Sequence, residues 1–318
     1  MRHRQQVQHR GEASALPGPV AVGRVIDAAQ VDELLEAQVG VIAQRARGLS
    51  DSAYADALAR TTTVEEAQHA VWATALWDLR VLAGWLPPAG VAAMRTFAAY
   101  FEIDNIESRL VRLAGGEPQP VFDLGLLATA WPRVRDTTSA HELRGALRRS
   151  AWRDPESDDR AHILSSLRLE WARRLEEIRG AAPWGAGAAA LVLARTRAST
   201  IGNLDPDLTR RASQLGRDAL HATSVRELVD ALPDAARWVF DDVDVADLDL
   251  EGLWRAEATW WRRVDRDGER LLRRVQPGID VVVGAVARRL ADAWRTAAAL
   301  DLATRTEASS EDLADVVA

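Results

Sequence analysis

The sequence has neither cysteine nor lysine among its 318 residues, and both absences exclude kinds of chemistry. Without cysteine there is no disulfide, no thiolate metal ligand and no thiol nucleophile. All 40 basic residues are arginine, so the lysine used by Schiff-base enzymes, P-loop proteins and protein kinases is also missing. These function classes are therefore excluded.

Long apolar runs are also missing. The longest, residues 185–194, is shorter than the ~20 residues that cross a bilayer, and the arginines near the start have no apolar run after them, unlike a signal peptide. The net charge of −7 and the pI near 5.5 argue against a general nucleic-acid binder. We therefore predict a cytoplasmic protein that meets a membrane only through partner proteins.

Glycine and proline are scarce, with 20 and 12 residues, and strong helix formers abound, which favours an all-α fold. The polar start, residues 1–18, is predicted to be disordered, and the acidic end, 306–318, to be a frayed tail. Residues 19–305 are predicted to form a single all-α domain. Within it we predict a helix over 122–130 and a Gly/Ala/Pro loop over 180–187.

The most informative stretch runs from Tyr100 to Leu113 and is predicted to be one helix. Its apolar side chains recur at three- and four-residue spacing, which places them on one face; they are Ile103, Ile106, Leu110 and Leu113. Glu102, Asn105 and Arg109 form a polar stripe beside that face, at spacings that allow local pairing. The glycines and prolines after Leu113 end the helix.

A capped helix recurs along the chain. Residues Thr138–Leu147 and Thr223–Leu232 agree at six of ten positions, and each begins with a Ser-x-x-Glu capping box. Leu49–Leu58 is a weaker third copy, and Thr63 with Glu66 is a further capping box. The repeat predicts three similar helical units, at about 19–120, 121–205 and 206–305.

The phrase Tyr-Phe-Glu-Ile-Asp-Asn-Ile followed by Arg-Leu-x-Arg-Leu, residues 100–113, resembles a motif helix of the C-type rotor subunit of prokaryotic V/A-type ATPases, whose eukaryotic counterpart is the d-type subunit. The resemblance implies three helical units arranged as a funnel, with no catalysis and no cofactor. It implies two kinds of partner, the central-stalk subunits and the membrane rotor ring. Glu102, Asn105 and Arg109 would then line the funnel. The last helix departs from the family pattern, since Asp292 is its only acidic residue at the matching place.

Two other hypotheses remain open. Asp241, Asp242 and Asp244 resemble the aspartate-rich motif of class I terpene synthases, where carboxylates hold Mg²⁺ that binds a diphosphate. The second metal motif of those enzymes is missing downstream, so a solvated acidic loop is the simpler interpretation. The other hypothesis is a helical adaptor unrelated to ATPases. The coupled ion and the direction of ATP turnover stay open.

Overall fold

The computed structural model describes residues 54–199, 204–245, 248–250, 252–273 and 278–302. All regular secondary structure in these ranges is helical, which confirms the all-α class. The arrangement of three units as a funnel stays a prediction. The predicted tails, 1–18 and 306–318, and Ser50 of the weakest repeat copy lie outside the described residues.

The helices of the described ranges are numbered here in chain order. They are α1 Ala55–Leu58, α2 Val64–Ala83, α3 Pro88–Leu113, α4 Trp131–Val134, α5 Ala140–Arg148, α6 Arg160–Glu176, α7 Ala182–Ser199, α8 Pro206–Arg211, α9 Arg217–His221, α10 Val225–Ala231, α11 Asp234–Arg237, α12 Leu253–Leu272 and α13 Ile279–Leu302. Short 3₁₀ turns occur at Gly125–Leu127, Ser213–Leu215 and Trp238–Phe240. None of the helices in these ranges is long and apolar enough to cross a membrane.

The chain divides into two compact units. The first has its described residues at 54–75 and 292–302. Its two chain segments are joined by the Tyr54 hydroxyl, which donates to Asp292 Oδ2 at 2.9 Å, and by the Gln68 amide, which donates to the Ala297 carbonyl at 3.1 Å. The predicted boundaries of three helical units fall at other places in the chain, and they stay a prediction.

The second unit, Leu76–Ala291, is built around α7. This helix packs against α6, α11 and α12, and its glycines permit the close approach. A Cβ on Gly185 would lie 2.4 Å from the Ala172 carbonyl oxygen, and one on Gly187 would lie 2.6 Å from the Trp238 ring. The predicted loop over 180–187 is therefore wrong after residue 181, because these glycines serve helix packing.

An aromatic cluster fills the core of the second unit. Trp171, Trp184, Trp260 and Trp261 are each at most 4% exposed. Their polar ends are also used: the Trp184 indole N–H donates to Asp267 and that of Trp260 donates to the Trp184 carbonyl. Neighbouring rings of Trp260 and Trp261 meet edge to face at 4.7 Å between centroids.

Candidate functional site

The carboxylate of Glu102 is buried in α3 and fully hydrogen bonded. Its side chain is 1% exposed. Oε1 accepts the backbone N–H groups of three consecutive residues, Thr129, Ala130 and Trp131, at 2.7 to 2.8 Å. Oε2 accepts the indole N–H of the fully buried Trp152 at 2.7 Å. These N–H groups belong to the first residue of the short helix α4 and to the two residues before it, so Glu102 caps that helix from a distant part of the chain.

The other two stripe residues also hold the segment that follows α3. The Asn105 amide donates to the Phe122 carbonyl at 2.9 Å and accepts the Phe122 N–H at 2.7 Å. Arg109 donates to the Thr137 carbonyl. The predicted helix over 122–130 is wrong, since only the 3₁₀ turn Gly125–Leu127 forms there. Side chains of α3 take up backbone groups that a local helix would have paired, so the segment is held against α3 without forming a helix.

These contacts place the predicted funnel-lining residues. Glu102 and Asn105 are buried, with their polar atoms bonded inside the second unit, and Arg109 is half-buried. The stripe is brought together on one helix face, as its spacing predicts. Its observed task is to position residues 120–137, and the funnel-lining role stays a prediction.

Asp104 has a different environment from the stripe beside it. Its Oδ2 atom is buried and has no hydrogen-bond partner among the described residues. Burial, with a smaller contribution from the Glu107 carboxylate, raises the pKa of Asp104 to about 8, and the nearby Arg168 guanidinium opposes the rise. Glu107 itself pairs with Arg160 at 3.2 Å and with Arg168 at 3.1 Å. The carboxyl of Asp104 therefore holds its proton near neutral pH.

One capping device occurs three times in the described part of the chain. In each copy a threonine donates its N–H and its hydroxyl to a glutamate four residues later, and the glutamate N–H donates to the hydroxyl of the intervening cap residue. The copies join Thr62 to Glu66, Thr138 to Glu142 and Thr223 to Glu227. The threonine N to Oε2 distance is 2.8 Å in all three, and the glutamate N to hydroxyl distance is 3.1 Å in all three.

The likeness of the three copies extends into their cores. Side chains five and nine residues after the threonine are buried in every copy. They are Ala67 and Val71, Leu143 and Leu147, and Leu228 and Leu232. The capping boxes predicted at Ser139, Ser224 and Thr63 are confirmed. The copy beginning at Thr62 was not part of the predicted repeat, whose third member, Leu49–Leu58, lies only partly within the described residues.

An open groove of about 660 Å³ lies beside α5, and we call it the arginine groove. Its basic wall comprises Arg133 from α4 and Arg144, Arg148 and Arg149 from α5 and its end. Thr137, which receives the Arg109 bond, also lines it. This surface was not predicted from the sequence. The run Arg-Gly-Ala-Leu-Arg-Arg at 144–149 is the pattern that could have indicated it.

A second surface is the apolar turn between α2 and α3. Residues 81–94 carry no charged side chain. Trp85 is 86% exposed at this turn, and Val81 and Trp77 are exposed one and two turns earlier on one face of α2. Exposed apolar side chains grouped in this way are typical of contact surfaces. The uncharged run was readable from the sequence, but its exposure was not.

The aspartates of the alternative metal site lie on the surface. Asp241, Asp242 and Asp244 follow the 3₁₀ turn at Trp238–Phe240 and are all exposed. Asp242 Oδ2 lies 3.6 Å from a guanidinium nitrogen of Arg262. Among the described residues, no three acidic or histidine side chains are grouped closely enough to hold a metal ion.

Comparison with known proteins adds no family to this geometry. No protein-family model matches the chain, and no curated protein matches it significantly.

Proposed function

We propose that the chain is a non-catalytic rotor subunit of a V/A-type ATPase, similar to the C-type and d-type subunits, that joins the central stalk to the membrane rotor ring. The observation that carries the proposal is the triple capping device. Three copies with equal hydrogen-bond distances and equivalent buried positions support an origin from one helical unit used three times. Such a threefold composition is what the resemblance at residues 100–113 implies.

The character of the surfaces also supports a coupling role. A subunit that transmits torque needs separate contact areas on different partners, whereas an enzyme needs one concave site with convergent reactive groups. The arginine groove and the apolar turn differ in chemistry, one being basic and the other uncharged. Two surfaces of different chemistry are suited to binding two different partners. The central stalk and the rotor ring are the partners that we propose.

The alternative, a Mg²⁺- and diphosphate-dependent helical enzyme, receives no support from a specific observation. Its three aspartates are exposed, and one faces an arginine rather than a second carboxylate motif. A thermal shift caused by Mg²⁺ and lost in Asp241→Ala would revive it.

The decisive experiment uses the cells that naturally produce the protein. A tagged chain is purified from detergent-solubilised membranes, and ATP hydrolysis and ion pumping are measured in vesicles from a deletion strain. We expect the tagged chain to co-purify with the nucleotide-binding, stalk and ring subunits. We expect the deletion to abolish ATP-driven pumping, and a plasmid copy to restore it.

Pumping that persists in the deletion strain, or a tagged chain that purifies without rotary ATPase subunits, would overturn the proposal. Glu102→Ala is not suitable for testing whether ATP hydrolysis is coupled to ion pumping, because it removes the acceptor of four hydrogen bonds and perturbs the fold. Arg112→Ala is a better variant of α3 for this test, since Arg112 makes no ion pair with the described residues.

A further inference from the structure

The arginine groove carries more positive charge than its own carboxylates balance. Arg144 is neutralised, since its Nε atom lies 2.6 Å from Asp154 and its Nη1 atom lies 3.5 Å from Asp158. Arg133, Arg148 and Arg149 make no ion pair with a carboxylate of the described residues. Three guanidinium groups that make no ion pair with a described carboxylate therefore line one concavity.

The acidic residues at the groove are already engaged. Glu142 accepts the N–H and hydroxyl of Thr138 in the capping box, and those bonds lower its pKa. Asp136 lies 3.3 Å from Arg135. Asp154 is held by Arg144, whose hydrogen bond is the largest contribution that lowers the pKa of this carboxyl. These carboxylates are thus engaged by other partners, and none of them makes an ion pair with Arg133, Arg148 or Arg149, although the charge of Arg148 contributes to the lowered pKa of Asp154.

Helix electrostatics explains only part of this arrangement. Arg148 in the last turn of α5 and Arg149 at its C-cap complement the negative end of the helix dipole. Arg133 belongs to another helix, α4, and yet lines the same groove. Its placement beside the other two is a property of the groove and not of one helix end.

Hydrogen bonds hold the backbone of two residues that line the groove, Asp154 and Thr137. Arg211 donates to the Asp154 carbonyl at 2.7 Å, and its Nε atom lies 2.8 Å from Oδ2 of the fully buried Asp207. On the other side, Arg109 holds Thr137. The backbone at these two positions therefore loses little conformational freedom on binding, which favours affinity.

We propose that the arginine groove binds an acidic peptide segment of a partner protein, with carboxylates spaced at i, i+3 and i+4 along a helix. Arginine pairs with carboxylates through two parallel hydrogen bonds, which favours such a ligand. The groove is open and large enough for a chain segment. A net charge of −7 repels long polyanions such as nucleic acids at a distance, whereas a short acidic segment meets only the local positive field. The inference does not rest on the rotor assignment.

The test is fluorescence anisotropy with the full-length protein and a labelled glutamate-rich peptide of ~15 residues, which is long enough to form a helix. We expect saturable binding that weakens as salt rises. The variant Arg148→Gln/Arg149→Gln should weaken binding roughly tenfold, as expected when two charge-assisted contacts are lost. Arg133→Gln should weaken it by a smaller factor.

The matched control is Arg217→Gln/Arg226→Gln, which removes the same charge from exposed arginines outside the groove. It should leave the affinity unchanged within about twofold, while circular dichroism shows that each variant is folded. Equal losses in both double variants would overturn the proposal, since binding would then follow net charge alone. No binding of the peptide would also overturn it.

Two further ligands separate the macromolecular classes. A single-stranded oligonucleotide of equal charge and vesicles containing anionic lipid are measured under the same conditions. Weaker binding of both supports the peptide assignment, and tighter binding of either one through Arg148 and Arg149 refutes it. Failure here leaves the co-purification result untouched, so the two proposals fail separately.

Discussion

Replacing Glu102 by glutamine tests whether this side chain positions the segment after α3. The change keeps the side-chain volume and removes the charge. Oε1 can still accept the three backbone N–H groups, but an amide NH₂ now faces the indole N–H of Trp152, so two donors oppose each other. The contacts are buried, with Glu102 at 1% and Trp152 at 0% exposure, so water cannot relieve the conflict.

The expected decrease in the free energy of unfolding follows from the four hydrogen bonds that Glu102 accepts. A hydrogen bond to a charged group contributes about 1.5–3 kcal/mol and a neutral one about 0.5–1.5 kcal/mol, and a buried unsatisfied donor costs about 1–3 kcal/mol. Taken at the low end of these ranges, three weakened bonds and one lost bond predict a destabilisation of at least about 3 kcal/mol for Glu102→Gln. Glu102→Ala, which removes every acceptor and leaves a cavity, should cost about 5 kcal/mol.

The assay is urea unfolding followed by far-ultraviolet circular dichroism, which does not depend on the tryptophan that is also replaced. A double-mutant cycle with Trp152→Phe isolates the contact between the two side chains. Since Phe removes the donor that the glutamine amide opposes, the double variant should be more stable than the sum of the single changes by about 1–2 kcal/mol. Additivity within about 0.5 kcal/mol, or a loss below that figure for Glu102→Gln alone, would show that Glu102 does not hold this segment.

Three further predictions address other parts of the fold. Asp104 keeps its proton up to about pH 8 in the folded protein, whereas its unperturbed pKa is 3.8. The free energy of unfolding should therefore fall as pH rises between these two values. Asp104→Asn should make the free energy of unfolding less dependent on pH in this interval, and an unchanged slope would contradict the raised pKa of Asp104. Gly185→Ala places a Cβ 2.4 Å from the Ala172 carbonyl oxygen and should destabilise the protein by about 2 kcal/mol in thermal unfolding. The control is Gly145→Ala, which should be neutral or slightly stabilising, because the nearest atom to its Cβ would be 3.7 Å away. Ser224→Ala removes a confirmed cap and should cost about 1 kcal/mol, while Ser224→Asp should retain most of the stability in urea titrations.

Local patterns predicted the helical elements well where the backbone bonds are local. The helix over residues 100–113 follows from apolar residues at three- and four-residue spacing, and the confirmed capping boxes follow from the Ser-x-x-Glu pattern. In both cases the partners of each backbone group lie within four residues. Periodicity and capping rules describe that range of interactions.

The same rules failed where distant side chains compete with the helix. Apolar residues at 122–130 resemble a helical face, but the side chains of Glu102 and Asn105 bind the backbone there, so the chain is held against α3. Gly185 and Gly187 resemble a linker, but the helix extends through them because neighbouring elements need the space of a missing Cβ. Neither the missing helix nor the extended one can be predicted without knowing which parts of the chain are in contact.

The candidate surfaces show the same division. The arginines at 144–149 and the uncharged run at 81–94 are plain in the sequence, yet their meaning depends on exposure and pairing. The fold brings Arg133 to the same groove, and it neutralises Arg144 with Asp154 while leaving Arg148 and Arg149 unpaired with the described carboxylates. Whether an arginine is paired depends on its distance from carboxylates in the folded protein, so it cannot be predicted from the order of charged residues in the sequence.

The helical class, the recurring capped helix and the exclusion of cysteine and lysine chemistry can be predicted from the sequence alone, because they depend on residue type and short-range spacing. The folded arrangement is needed to show that Glu102 and Asn105 are internal anchors, and that the arginines beside α5 line one open groove. Both depend on contacts between residues far apart in the chain, whose free energies depend on burial and distance rather than on order along the backbone.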